Sequence, residues 1–274
     1  MQTPYYEIDE RKLNADIALL QNALQDGWGE RSVAACSVKT NSLPWLLNHF
    51  RQNGLWAEVV SAEEYDLAMR IGFDPAKVIY NGPVKDRGVF EKVLADGGLV
   101  NLDSSEEPEW LEEMAGRQES PSEGCAGTKK NESNEGTPRK IRVGLRVNVN
   151  FRTLVPTEVP ADEEGSRFGY CEENGSLEEV IRRLRRIPGV EIAGLHLHSS
   201  TKSRSVTAYA AVAAFAVRLA EKYRLTDLSY IDMGGGYYGG VPGKPDFRDY
   251  VPAIAGELKK FFDPAKVALI LEPG

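Results

Sequence analysis

The sequence predicts an α/β fold built as a single (β/α)8 TIM barrel, and three observations carry that prediction. About eight apolar runs bounded by turn residues are spread along the chain, the strand count of such a barrel. Stretches with helical spacing lie between them, so strands and helices alternate and the sheet is expected to be parallel. The length, 274 residues, matches one barrel and is enough to bury a large core.

Taken in order, the predicted strands are 33–39, 57–61, 77–81, 99–103, 141–148, 191–198, 228–233 and 266–272. Turn residues bound these runs, and Gly234-Gly235-Gly236 follows the seventh. Helical spacing is clearest over 61–71, 177–186 and 206–223. One stretch departs from the pattern. From 116 to 138 the chain is Ser, Glu, Gly, Asn, Thr and Lys with almost no apolar residue, so it is expected to be a disordered surface insertion in one domain spanning 1–274.

Hydrophobic residues make up 42% and charged residues 27%, the balance of an ordinary globular protein. The formal charge of -8 argues against a nucleic-acid or anionic-membrane partner, since either calls for a basic face. Cys36, Cys125 and Cys171 are odd in number and widely spaced, so reduced thiols and a cytoplasmic location are expected. Three histidines occur without a carboxylate or cysteine cluster at ligand spacing, and no metal site is expected. Residues 1–10 hold no signal-peptide core, and no run approaches the length that spans a bilayer.

Strand parity assigns side chains to the barrel axis. Stepping back by two from Lys39 gives Ser37, Ala35 and Val33 inside, with Cys36 and Val38 facing the helices, so Cys36 is expected to pack rather than react. The same count groups His198 with His196, Gly194 and Ile192, Glu272 with Ile270 and Ala268, Arg146 with Gly144, and Asp232 with Gly234. The polar residue nearest each strand's C-terminal end should reach the mouth, where barrel enzymes place their sites. His196 should lie a layer deeper, as a buried support. Lys39 is the candidate nucleophile, because a desolvated amine sheds its proton and attacks carbonyls. Taken alone, a lysine closing a strand is ordinarily a solvated terminus.

Seven segments then fall in one order: Ser37-Val38-Lys39-Thr40-Asn41, Ala57-Glu58-Val59-Val60-Ser61, Gly144-Leu145-Arg146-Val147-Asn148, Ser166-Arg167-Phe168-Gly169, Gly194-Leu195-His196-Leu197-His198, Asp232-Met233-Gly234-Gly235-Gly236 and Glu272-Pro273-Gly274. The chain resembles the amino-acid decarboxylases dependent on pyridoxal 5'-phosphate (PLP) of the alanine-racemase-like fold, in particular the diaminopimelate and ornithine decarboxylases. The resemblance implies PLP as cofactor, with Lys39 as the Schiff-base lysine, His198 stacked on the ring, and Glu272 at the ring nitrogen. It further implies a phosphate cradle of Gly234, Gly235, Gly236 and either Thr201 or Ser200. Arg146 would fix the surroundings, with Glu58 as its acidic neighbour.

On the same resemblance the chain is expected to be the barrel of a longer homodimeric protein, lacking the C-terminal β domain. Its substrate would be a basic or dibasic amino acid, diaminopimelate first. A PLP carrier of the same fold and an amino-acid racemase are the alternatives, and Glu272 argues against both, since such proteins place no acid on the ring nitrogen. A cofactor-free aldolase would leave the glycine run and His198 without a role.

Overall fold

Strands buried on both faces carry near-continuous apolar runs, and the eight predicted runs do close into such a layer. The computed structural model describes residues 7–119, 140–159, 166–198 and 202–273. The strands are β1 (Ser32–Ser37), β2 (Trp56–Val59), β3 (Val78–Tyr80), β4 (Leu99–Leu102), β5 (Ile141–Arg146), β6 (Val190–His198), β7 (Tyr230–Gly235) and β8 (Ala268–Pro273). Each pairs in parallel with the next, and β8 returns to β1 to close the barrel.

Around it lie α1 (Glu10–Gly27), α2 (Pro44–Gln52), α3 (Ala62–Ile71), α4 (Arg87–Asp96), α5 (Glu107–Glu119), α6 (Phe151–Leu154), α7 (Ser176–Leu184), α8 (Val206–Tyr223) and α9 (Phe247–Leu258). Short polar side chains start several of them. Ser61 accepts from the Glu64 N–H at 3.3 Å while Glu64 accepts from the Val60 N–H at 2.9 Å, which fixes the turn directly after β2. Among the described residues no helix is long and apolar enough to cross a membrane.

Two boundaries differ from expectation. β1 stops at Ser37, because the Thr40 N–H and Oγ1 both donate to the Ser37 carbonyl, at 3.2 and 2.8 Å, and turn the chain. Lys39 therefore sits in the turn. α5 runs to Glu119, so the first residues of the expected insertion 116–138 are helical; 120–139, with Cys125, lie outside the described residues.

Parity sorts the barrel into layers. Ala35, Ile79, Tyr230 and Ile270 fill its lower half with Ala193, and Trp56 and Leu99 pack against them. One inward position further along each strand the chemistry changes to Ser37, Glu58, Asn81, Asn101, Asp232 and Glu272, each no more than 5% exposed. An apolar plug thus carries a polar floor that faces the mouth.

Cys36 points into the outer shell as expected, where burial pushes its thiol up to about 12 and leaves it inert. Ile192 does not join the interior set. The β5–β6 register jumps from Val143–Ile192 to Gly144–Gly194, so Ala193 is an extra residue that takes the inward place and turns Ile192 to the outer shell.

Candidate active site

β1 and β2 run in register with Ser37 opposite Glu58, and the β1 turn lifts Lys39 over that pair. Lys39 Nζ lies 3.1 Å from Glu58 Oε2 and 3.3 Å from Oε1, while Ser37 Oγ donates to Oε2 at 2.5 Å. Glu58 is buried, at 1% exposed. The expected desolvation of Lys39 is not provided by the protein: its side chain is 36% exposed, because the early end of β1 leaves the amine on the open side of the mouth.

Glu272, on β8, is fully buried and accepts from Asn81 Nδ2 at 3.0 and 3.2 Å. The same amide donates to Glu58 Oε1 at 3.2 Å, so one side chain joins the acid that holds the lysine to the acid at the barrel centre. The relay continues downward. Asn101 Nδ2 donates to Asn81 Oδ1 at 2.9 Å and to Asp232 Oδ2 at 3.1 Å, and Tyr230 Oη donates to Asn101 Oδ1 at 2.8 Å. Every amide in it points its donor end toward a carboxylate.

Two carboxyls in one sealed pocket do not both ionise. Burial and then the Glu272 charge push Asp232 well above the usual carboxylate range, so Asp232 carries the proton. Glu272 shares that burial, yet its contacts with His196 and His198 hold it below its ordinary value, and it stays anionic. His196 Nε2 lies 3.4 Å from Glu272 Oε2 and His198 Nδ1 3.8 Å. As expected, His196 is the deeper ring, 1% exposed, whereas the His198 side chain is 24% exposed and opens to the mouth.

Burial drives His196 down to about 4 against the opposing pull of Glu272, so the ring is neutral at pH 7. The unfolded chain binds a proton near pH 6.5 that the folded one refuses. Stability is full above that pH and falls as pH drops toward 4, by on the order of 3 kcal/mol. His196→Asn should flatten this part of a urea-unfolding stability curve; an unchanged acid slope would contradict the assignment.

Arg146 does not pair with Glu58 as expected. Its Nη1 binds Asp103 Oδ2 at 2.6 Å, because Asp103, just past β4, shares the barrel quadrant of β5, whereas Glu58 on β2 is taken by Lys39. Asp103 Oδ1 accepts the Gly169 N–H at 2.6 Å, and the Arg146 guanidinium lies 4.8 Å from the Phe168 ring centre. Gly169 has φ 81°, and a Cβ there would meet the Arg146 carbonyl at 2.8 Å. The arginine and Arg-Phe-Gly motifs are thus one structural unit.

Lys85 and Glu107 anchor it from below, with Nζ 2.6 Å from Oε1 and both side chains fully buried. Glu107 Oε2 accepts the Asp103 and Ser104 N–H groups at 2.6 and 3.0 Å. Lys85→Met should cost about 3–5 kcal/mol in denaturant unfolding, since it strands a buried carboxylate. A loss below about 1 kcal/mol would mean the pair is dispensable.

In the glycine run, Gly235 has φ 148°. A Cβ on Gly234 would fall 2.2 Å from His198 Nδ1 and 3.1 Å from Glu272 Oε2, so only glycine lets these groups meet. Thr201 and Ser200 lie outside the described residues. His196, His198 and Glu272 bring three ligating atoms within 4.8 Å of one another, a cluster that sequence spacing did not show because β6 and β8 are far apart in the chain. Asn81, Asn101 and Asp103 were also missed as site residues. Inward parity on β3 and β4, applied as it was on the other strands, marks all three.

The arrangement offers an amine held by an acid at one side of the mouth and a buried anion on its floor. Both fit a flat heteroaromatic aldehyde: Glu272 provides the negative partner that a protonated ring nitrogen requires, His198 flanks the same acid, and both nitrogens of His196 lack a hydrogen-bond partner among the described residues.

Residues 11–274 match the family described as pyridoxal-dependent decarboxylase, pyridoxal binding domain. The chain is 24% identical over 276 residues to a diaminopimelate decarboxylase of Aquifex aeolicus, covering 99% of this chain and 59% of the relative. It is 26% identical over 280 residues to a probable chloroplastic diaminopimelate decarboxylase of Oryza sativa subsp. japonica, covering 100% and 51%. The crystal structure of diaminopimelate decarboxylase from Helicobacter pylori complexed with L-lysine superposes with a TM-score of 0.74 at 19% identity, covering 100% of this chain and 64% of that one. The chain thus spans about half to three fifths of the length of these curated relatives. With the barrel, the paired acids and the mouth-facing lysine in place, the match over 11–274 makes this chain a member of the pyridoxal-dependent decarboxylase family, in its pyridoxal-binding domain.

Proposed function

We propose that this barrel is the cofactor-binding part of a PLP-dependent decarboxylase acting on a basic or dibasic amino acid, diaminopimelate being the first candidate. The observation that carries the reading is the Asn81 amide, which ties the acid holding Lys39 to the buried acid Glu272. The names of the relatives favour diaminopimelate.

When bound, PLP supplies an aldehyde that takes an amine and a pyridinium that accepts the electron pair left by a departing carboxyl group. Lys39 Nζ would be the attachment point, and Glu58, 3.1 Å away, orients it. Glu272 stays anionic to hold a proton on the ring nitrogen, and protonated Asp232 keeps that negative charge single. His198 would flank one face of the ring. Gly234, Gly235 and Gly236 give the phosphate a backbone without side chains, with Thr201 or Ser200 as the hydroxyl partner. Arg146, held by Asp103, shapes the neighbouring wall.

The working unit is proposed as a cytoplasmic homodimer, with 1–274 as one barrel domain. The full-length protein with PLP and a panel of diaminopimelate, ornithine, lysine, arginine and carboxynorspermidine should release carbon dioxide from one preferred substrate. No release from any of them would favour a carrier of the cofactor.

A further inference from the structure

The inward positions of β7 rise from Tyr230 through Asp232 and Gly234 to Gly236, just past the strand's end. A Cβ on Gly236 would not meet the His198 and Glu272 pair that crowds Gly234. It would stand 3.4 Å from both Cζ and Nε of Arg204. The guanidinium therefore covers the mouth one step above the buried acid.

The backbone that places it there is unusual. Arg204 has φ 48°, and the other described non-glycine residue with positive φ, Arg224, simply ends α8. Arg204 ends no helix; it precedes Ser205, which caps the start of α8. The Tyr250 hydroxyl donates to the Arg204 carbonyl at 2.6 Å, and the Tyr238 ring centre lies 5.1 Å from Cζ, so backbone and head are both held. A left-handed conformation kept by such bracing marks a residue whose side chain is being aimed.

We propose that Arg204 is a phosphate-binding residue, closing its planar fork on the phosphate monoester of the cofactor against the backbone N–H groups of Gly235 and Gly236. The proposal rests on the cofactor reading above. A doubly charged phosphate calls for a delocalised cation with paired donors, and glycine at 235 and 236 lets the anion approach the main chain.

Absorbance titration of the wild-type chain and of Arg204→Met with PLP and with pyridoxal, which has the same ring and aldehyde but no phosphate, tests this. In Arg204→Met the PLP dissociation constant should rise about tenfold or more while that for pyridoxal stays put, and Arg204→Lys should recover part of the loss. Equal weakening of both ligands would show a packing role and overturn the proposal, as would no change in either. A wild-type chain that develops no near-visible band with either ligand would overturn the cofactor reading and this proposal together. A wild-type band untouched by the substitution would overturn this proposal alone.

Discussion

In the full-length protein, Glu272→Gln should still fold and bind PLP, but turn over at least about a hundredfold more slowly. The amide keeps the shape and accepts from Asn81 as the carboxylate does, but it offers no charge to a protonated ring nitrogen. Loss of one preorganised electrostatic partner typically costs about two to three orders of magnitude in rate. In the cofactor-free chain stability should fall modestly. His196 and His198 hold folded Glu272 below its ordinary value, so its charge stabilises the fold at neutral pH, and the amide gives that up. A large fall in melting temperature with unchanged turnover would make Glu272 a structural acid.

Lys39→Ala should remove the near-visible band of the bound cofactor and all turnover. The barrel should survive, because the lost side chain is 36% exposed and Glu58 keeps the hydrogen bonds from Ser37 and Asn81. Lys85 cannot stand in for it: that amine is sealed against Glu107 and the Gly82 carbonyl. Absorbance and circular dichroism of the variant separate the two outcomes. A persisting band would move the attachment to another lysine.

The barrel was legible because strands covered on both faces must be apolar throughout, and the runs at 33–39 and 191–198 stand out for that reason. Lys39, Glu58, His198 and Glu272 were legible because motifs at successive strand ends fall at one mouth once the sheet closes. Register was not. Nothing in a run of apolar residues announces that Ala193 is an extra one, so Ile192 was placed on the wrong face. Partnership was not legible either. Arg146 needed an acid, but whether that acid was Glu58 or Asp103 depended on which strand lay beside β5 and on who else claimed Glu58. The Asn81–Asn101 relay was hidden for a related reason: an asparagine at a strand end is an ordinary turn residue until a closed sheet sets its amide between two carboxylates.

The central claim is that the lysine over Glu58 and the acid beneath Asn81 serve a single cofactor. Borohydride reduction of the PLP-loaded chain followed by peptide mass spectrometry reads this directly. The account predicts one stable adduct, on Lys39, formed by the wild type and absent from Lys39→Ala. An adduct on any other lysine, or none on a chain that shows the near-visible band, would contradict it.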